Sequence, residues 1–170
     1  MNTAPDRTEA AEYYFTYIDK VGAGDINAIL EDQGRDVPRL LRDIPDDRSL
    51  HRYAADKWSV RQVLSHINDT ERVFAFRAFW FARGYDIPLP SFDQEIAARS
   101  AGAESRSWSS HIDEFGAVRA ATLAFFRSVP PEAWGSRGIA SGYPFTVRAL
   151  AYIMAGHVEH HSRILKDSYL

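Results

Sequence analysis

Ala155-Gly-His-Val-Glu-His-His-Ser-Arg-Ile164 gathers His157, His160 and His161, half of the chain's six histidines, into about one and a half helical turns. In a helix, His157 and His161 stand four residues apart on one face, where two imidazoles can converge on a single point. Projection of the surrounding segment at roughly 100° per residue puts Val147, Leu150, Met154, Val158 and Leu165 on one apolar stripe, with His161 in its middle. His157 falls about 60° to one side and still points inward, whereas His160 falls about 120° away, beside Ile153 and Ile164. The inward pair is therefore His157 and His161, with His160 a flanking or interface residue. Core histidines often do no more than bond a carbonyl or carboxylate. Two neutral rings buried together leave several nitrogens to satisfy, and a shared cation satisfies two at once.

The helical period extends through the rest of the chain. Thr146 is in position to cap the last helix, which continues to near Asp167. A first segment over 8–44 carries Tyr14, Tyr17 and Ile18, breaks at Gly22 to Gly24, and restarts from Asp25 with Ile26, Ile29, Leu30, Val37, Leu40, Leu41 and Ile44; Gly34 and Pro38 predict an interruption or kink. Ser59 with Gln62 three residues on forms a capping box, opening a second helix with Val60, Val63, Leu64, Ile67, Phe74, Ala78 and Phe81 on its stripe and Gly84 at its end. Val73, Phe76, Phe79 and Trp80 on its other faces exceed what one buried stripe needs, which places this helix mid-bundle or at a subunit interface. A third helix is expected from about Ser109 to Ser128, with Ile112, Phe115, Val118, Ala121 or Thr122, and Phe125 inward. The connection after Asp86 carries a short helical piece, and 134–145 reads as a loop or turn region. Four long helices without a credible alternating strand make an all-α four-helix bundle, expected as a single domain over 1–170. The two later connections are long enough to wrap the bundle end and shape a pocket.

Composition narrows the function. The 170 residues are 45% hydrophobic, enough for a sizeable core. A formal net charge of -3 and the absence of a Lys/Arg run argue against nucleic acid as partner. With no cysteine there is neither a disulfide framework nor a protein thiol nucleophile, so any thiol chemistry needs a thiol brought by a ligand. The N-terminal residues lack the pattern of a signal peptide and no run of 18 residues is apolar, so the expectation is a cytoplasmic protein without a membrane partner. Of the other histidines, His51 and His111 read as solvated. His66 lies on the flank of the second helix, about 100° from its stripe, where the geometry permits a meeting with the last helix without demanding it.

Lys57-Trp-Ser-Val-Arg-Gln-Val-Leu-Ser-His66-Ile-Asn-Asp-Thr-Glu-Arg72, then Pro88-Leu-Pro-Ser-Phe-Asp-Gln94, then Thr146-Val-Arg-Ala-Leu-Ala-Tyr-Ile-Met-Ala-Gly-His157-Val-Glu-His-His161 together resemble the DinB-like superfamily. The resemblance covers most of 57–170 in the expected order; before Lys57 only the helical pattern agrees. It implies a DinB-like four-helix bundle, often a homodimer, with a divalent metal on His66, His157 and His161. It also implies either S-transfer or isomerisation with a low-molecular-weight thiol, or metal-dependent hydrolysis.

Three neutral imidazoles would leave a divalent ion its full charge and an open position, the arrangement of catalytic zinc; nickel, manganese, cobalt or iron would also accept it. The open position can acidify a water or hold a cosubstrate thiol as thiolate. Asp69 and Glu71 are candidate catalytic carboxylates beside His66, or else surface partners of Arg72 or Arg77. Trp58, Phe92, Tyr143 and Tyr152 can line a small-molecule pocket or belong to the core, and Arg148 can bind a substrate carboxylate or stay solvated. The competing reading is a non-catalytic, metal-binding dimer associated with stress.

Overall fold

The computed structural model describes residues 3–169; Met1 and Asn2, which begin the stretch read as lacking a signal peptide, and Leu170 lie outside it. Four long helices form the body: α2 (Ile26–Arg42), α3 (Val60–Ala82), α5 (Trp108–Ser128) and α6 (Val147–Ile164). Two short ones, α1 (Phe15–Ile18) and α4 (Gln94–Ser100), lie against α6 and α3 respectively. The long helices close a ring in the order α2, α5, α3, α6, so α2 and α3 face each other across a diagonal although they are consecutive in the chain.

Local chemistry starts three of the long helices at the caps the sequence indicates, and α5 at Ser107, which accepts from the Ser110 amide. Asp25 accepts from the amides of Asn27 and Ala28, and Thr146 from that of Ala149. Ser59 and Gln62 close the reciprocal capping box of α3, whose whole predicted stripe is buried, and Gly84 follows with a positive φ of 77°. No described helix is long and apolar enough to cross a membrane.

Four features depart from the sequence reading. First, α2 runs unbroken through Gly34 and Pro38. Pro38 is buried, and a Cβ at Gly34 would stand 3.1 Å from the Arg119 Cγ, so this face of the helix is held by packing on α5. Second, the inner face of α5 is turned: Arg119, Thr122 and Phe126 are buried, while Val118 and Phe125 are half-buried. A pattern reading puts arginine outside, but Glu71 meets this one in the core.

Third, residues 134–145 are not merely a loop. Strands β1 (Arg137–Ala140) and β2 (Tyr143–Thr146) pair antiparallel, Ala140 opposite Tyr143, and the two-residue connection Ser141-Gly142 has φ of 54° and 81°. Positive φ at both positions is what a tight hairpin turn requires. Leu89, in the connection after α3, bonds this hairpin through Ile139 and Ser141. Fourth, the helix buried on nearly all sides is α6, over 149–158, not α3. Its Ala149, Ala151, Ala155 and Gly156 let neighbours approach closely; a Cβ at Gly156 would lie 2.1 Å from the Tyr17 carbonyl oxygen of α1.

One buried network joins all four long helices. Arg119 of α5 donates to both Glu71 oxygens of α3 at 2.8 Å each, and to the Leu30 carbonyl (2.9 Å) and Gln33 Oε1 (3.1 Å) of α2. Gln33 in turn donates to the Ala155 carbonyl of α6 at 2.9 Å. Removing one charge leaves the other stranded, which costs about 3–5 kcal/mol. Glu71→Ala should therefore lower unfolding stability in urea by about that amount, whereas the Glu71→Leu, Arg119→Met pair should recover at least half of the loss. A Glu71→Ala midpoint matching wild type would refute the network's role.

Candidate metal centre

Burial of the α6 stripe turns His157 inward and His161 one turn further on; packing of α3 against α6 brings His66 to meet them. His66 Nε2 lies 3.0 Å from His157 Nε2, which lies 3.1 Å from His161 Nε2. All three histidines offer ligand atoms within 4.8 Å of one another. Two nitrogens on one tetrahedral zinc at the usual 2.0–2.1 Å would stand about 3.3 Å apart. The two spacings to His157 fit a shared ion with a few tenths of an ångström of adjustment.

Electrostatics agree with a ligand set. Burial pushes His66 down to about 4 and His161 to about 3, with the charges of His66 and His160 adding to the latter. Burial lowers His157 well below the usual imidazole value, reinforced by the other histidines. All three are neutral at pH 7, the form that binds metal. Thr70, one turn beyond His66, has its hydroxyl 3.3 Å from His66 Nδ1, where it can hold the tautomer that leaves Nε2 as the metal-facing atom. Trp58 packs on the His66 ring at 4.9 Å between centroids. Tyr17 sets its ring edgewise to His157 and His160, 5.4 Å from each. The close approach at Gly156 lets α1 reach this position.

Two cavities flank the group. One, of about 140 Å³, is lined by His66, His157, Thr70 and the three tyrosines 13, 14 and 17, together with Phe92, Gln94, Arg77 and Ser141. The other, of about 290 Å³, reaches His161 past Trp58, Lys57 and Glu95. The connection after α3 thus supplies Phe92, Gln94 and Glu95, and the hairpin supplies Ser141. Asp93 caps α4, its Oδ1 accepting from the amides of Glu95 and Ile96.

Several sequence candidates stand elsewhere. Both Glu71 oxygens are taken by Arg119, so it is neither a free base nor a surface partner of Arg72 or Arg77. Asp69 pairs with Arg72, and burial raises its pKa; it borders neither cavity. Arg148 is not solvated but bonds Glu9, and Tyr152 is buried in the apolar core. Tyr143 is exposed, and none of Tyr143, Arg148 and Tyr152 lines the cavities beside the histidines. His111 is fully buried rather than solvated, its Nε2 2.8 Å from the Ala103 carbonyl.

The cavity residues that pattern reading passed over are Thr70, Arg77, Gln94, Ser141 and the tyrosines. Two of them carry a signal: Thr70 and Arg77 lie four and eleven residues after His66, on the same face of α3.

Comparison with solved structures finds YfiT from Bacillus subtilis, described as a probable metal-dependent hydrolase with an unusual four-helix bundle topology. Its TM-score is 0.71 at 14% identity, over 97% of this chain and 93% of that one. A mycothiol-dependent maleylpyruvate isomerase matches with a TM-score of 0.67 at 11% identity, over 85% of this chain and 61% of that one. At these identities the likeness shows the shared fold. Among curated proteins there is no match. The sequence pattern of the DinB superfamily matches residues 29–165, most of the chain including all three histidines, and the chain therefore belongs to the DinB superfamily.

Proposed function

We propose that the protein is a metal-dependent enzyme acting on a small molecule, with His66, His157 and His161 as the ligands of one divalent ion. The observation that carries this reading is the convergence of three neutral imidazoles, two buried and that of His161 half-buried, at 3.0 and 3.1 Å. Zinc or nickel suits the donor set best, with manganese, cobalt and iron as further candidates. When bound, such an ion supplies a Lewis acid with a free position for water or a cosubstrate thiol. The chain contributes orientation and exclusion of water: Thr70 fixes the His66 tautomer, and Trp58 and Tyr17 wall the group.

Thiol-dependent S-transfer and hydrolysis both fit this frame. The cysteine-free sequence is compatible with a thiol carried in by a cosubstrate, and the fold is shared with a mycothiol-dependent isomerase. YfiT, described as a probable metal-dependent hydrolase, supports the other branch.

Elemental analysis should find about one divalent ion per chain in wild type and less than about a tenth of that in the His157→Ala, His161→Ala variant. Equal content in both sinks the metal site. On the loaded protein, turnover of an electrophile that requires an added small thiol identifies S-transfer; turnover of esters or amides without thiol identifies hydrolysis. Inactivity across both panels favours the non-catalytic alternative.

The buried histidines also set a pH dependence for the metal-free protein. Unfolded, they take up protons near the ordinary imidazole value of 6.5; folded, His66 does so only near 4 and His161 near 3. Between those values the unfolded chain holds more protons, so stability is complete above about pH 7 and is lost as the pH falls towards 4. The thermal midpoint should drop by on the order of 10 °C from pH 7.5 to 5, and by less in the double histidine variant. Equal slopes in the two proteins would contradict this assignment.

The proposed homodimer would use the α3–α5 face. Phe76 and Phe79 are 50% and 39% exposed there and, with Phe125 and Val118, border an apolar groove of about 500 Å³. Sedimentation should show a dimer in wild type and a monomer in Phe76→Glu, Phe79→Glu. A wild-type monomer excludes this contact.

A further inference from the structure

Arg77 lines the smaller cavity together with His66 and His157. It is only 4% exposed, and among the described residues no carboxylate lies within ion-pair distance of it. The other buried arginines are paired, Arg61 with Asp46 at 2.7 Å and Arg119 with Glu71 at 2.8 Å; half-buried Arg148 has Glu9. A buried guanidinium without a counter-charge is costly, and its pKa is lowered by burial. Its protein partners are neutral: Nη2 donates to the Pro90 carbonyl at 3.1 Å and to Ser141 Oγ at 2.9 Å, and the Tyr14 hydroxyl is its other polar contact. Both Nη2 hydrogens are thereby committed, so the donors left for a ligand are those of Nε and Nη1 not engaged by Tyr14, which meet an anion through single charge-assisted bonds.

The partners also hold Arg77 in place. Ser141 occupies the left-handed conformation of the hairpin turn, uncommon for a residue with a side chain, and the turn is tied to Leu89 beside Pro90. His66 and Arg77 are eleven residues apart on one face of α3, three turns or about 16 Å along the axis. Both line the same cavity. Apart from Arg77, the cavity has no permanently cationic residue on its wall, so it balances one negative charge rather than two.

We infer that this cavity takes a small organic monoanion, its carboxylate on Arg77 and its reacting end towards His66 and His157. The placement of the reacting end rests on the proposed metal site; the anion anchor stands on Arg77 alone.

The test uses full-length protein, zinc-loaded and chelator-treated, with hexanoate and its neutral isostere hexanamide as probes. In wild type, hexanoate should bind at least about tenfold more tightly than hexanamide in both preparations, as expected for a charge-assisted pair. It should also move the Arg77 Nε–H resonance, which needs no variant to read. Arg77→Gln, checked for folding by circular dichroism, should reduce the preference below about twofold, and Arg77→Lys should retain part of it. A preference confined to zinc-loaded protein and unchanged in Arg77→Gln places the carboxylate on the metal and overturns the anchor. No preference in either preparation also overturns it, as does inorganic phosphate displacing hexanoate at equal concentration. Loss of metal binding with the preference intact would count against the metal site alone.

Discussion

The buried Arg119–Glu71 pair is the constraint on which the rest of the bundle depends. A guanidinium and a carboxylate taken out of water are tolerated only when both are fully engaged. Satisfying Arg119 draws α2, α3 and α5 together, and Gln33 extends the chain of bonds to the Ala155 carbonyl on α6. That carbonyl is two residues from His157. A polar network outside the histidine group thus sets how α6 sits against α2. Gly34 is part of the same arrangement, since a side chain there would press on the Arg119 stem.

The histidine group follows from that packing and from a second close contact. Gly156 lets the backbone of α1 touch α6, which brings Tyr17 over His157 and His160 and helps close the group from solvent. Burial then makes the imidazoles neutral at ordinary pH, the condition for ligation. Burial weakens a charged imidazole in the same way that it makes the unpaired Arg77 costly. At one end of the cavity the consequence is a neutral donor set suited to a cation; at the other it is a cation suited to an anion.

The two long connections complete this polarity. The segment after α3 brings Phe92, Gln94 and Glu95 beside the histidines, and the β1–β2 hairpin brings Ser141 to Arg77. Because Leu89 bonds the hairpin, the two connections form one continuous rim. Glu71, close in sequence to the helix turn that carries His66, takes no part in that rim because Arg119 occupies it.

Local chemistry was enough to determine the helical class, the caps at Asp25, Ser59 and Thr146, the α3 stripe, and the inward pairing of His157 with His161. Each depends on residues within a turn or two, so periodicity and capping express it directly. The family motif added His66. Only the tertiary structure decided that Arg119 and His111 are buried, that α2 runs through Pro38, that α6 rather than α3 is the enclosed helix, and that Glu71 serves the core instead of the site. Most of these are settled by a partner far along the chain, Glu71 for Arg119 and the α5 surface for α2, and His111 by the fold-back of the segment before α5, which brings the Ala103 carbonyl to it. A polar side chain reads as exposed in sequence because water is its default partner, and the fold alone determines whether a better one is waiting inside.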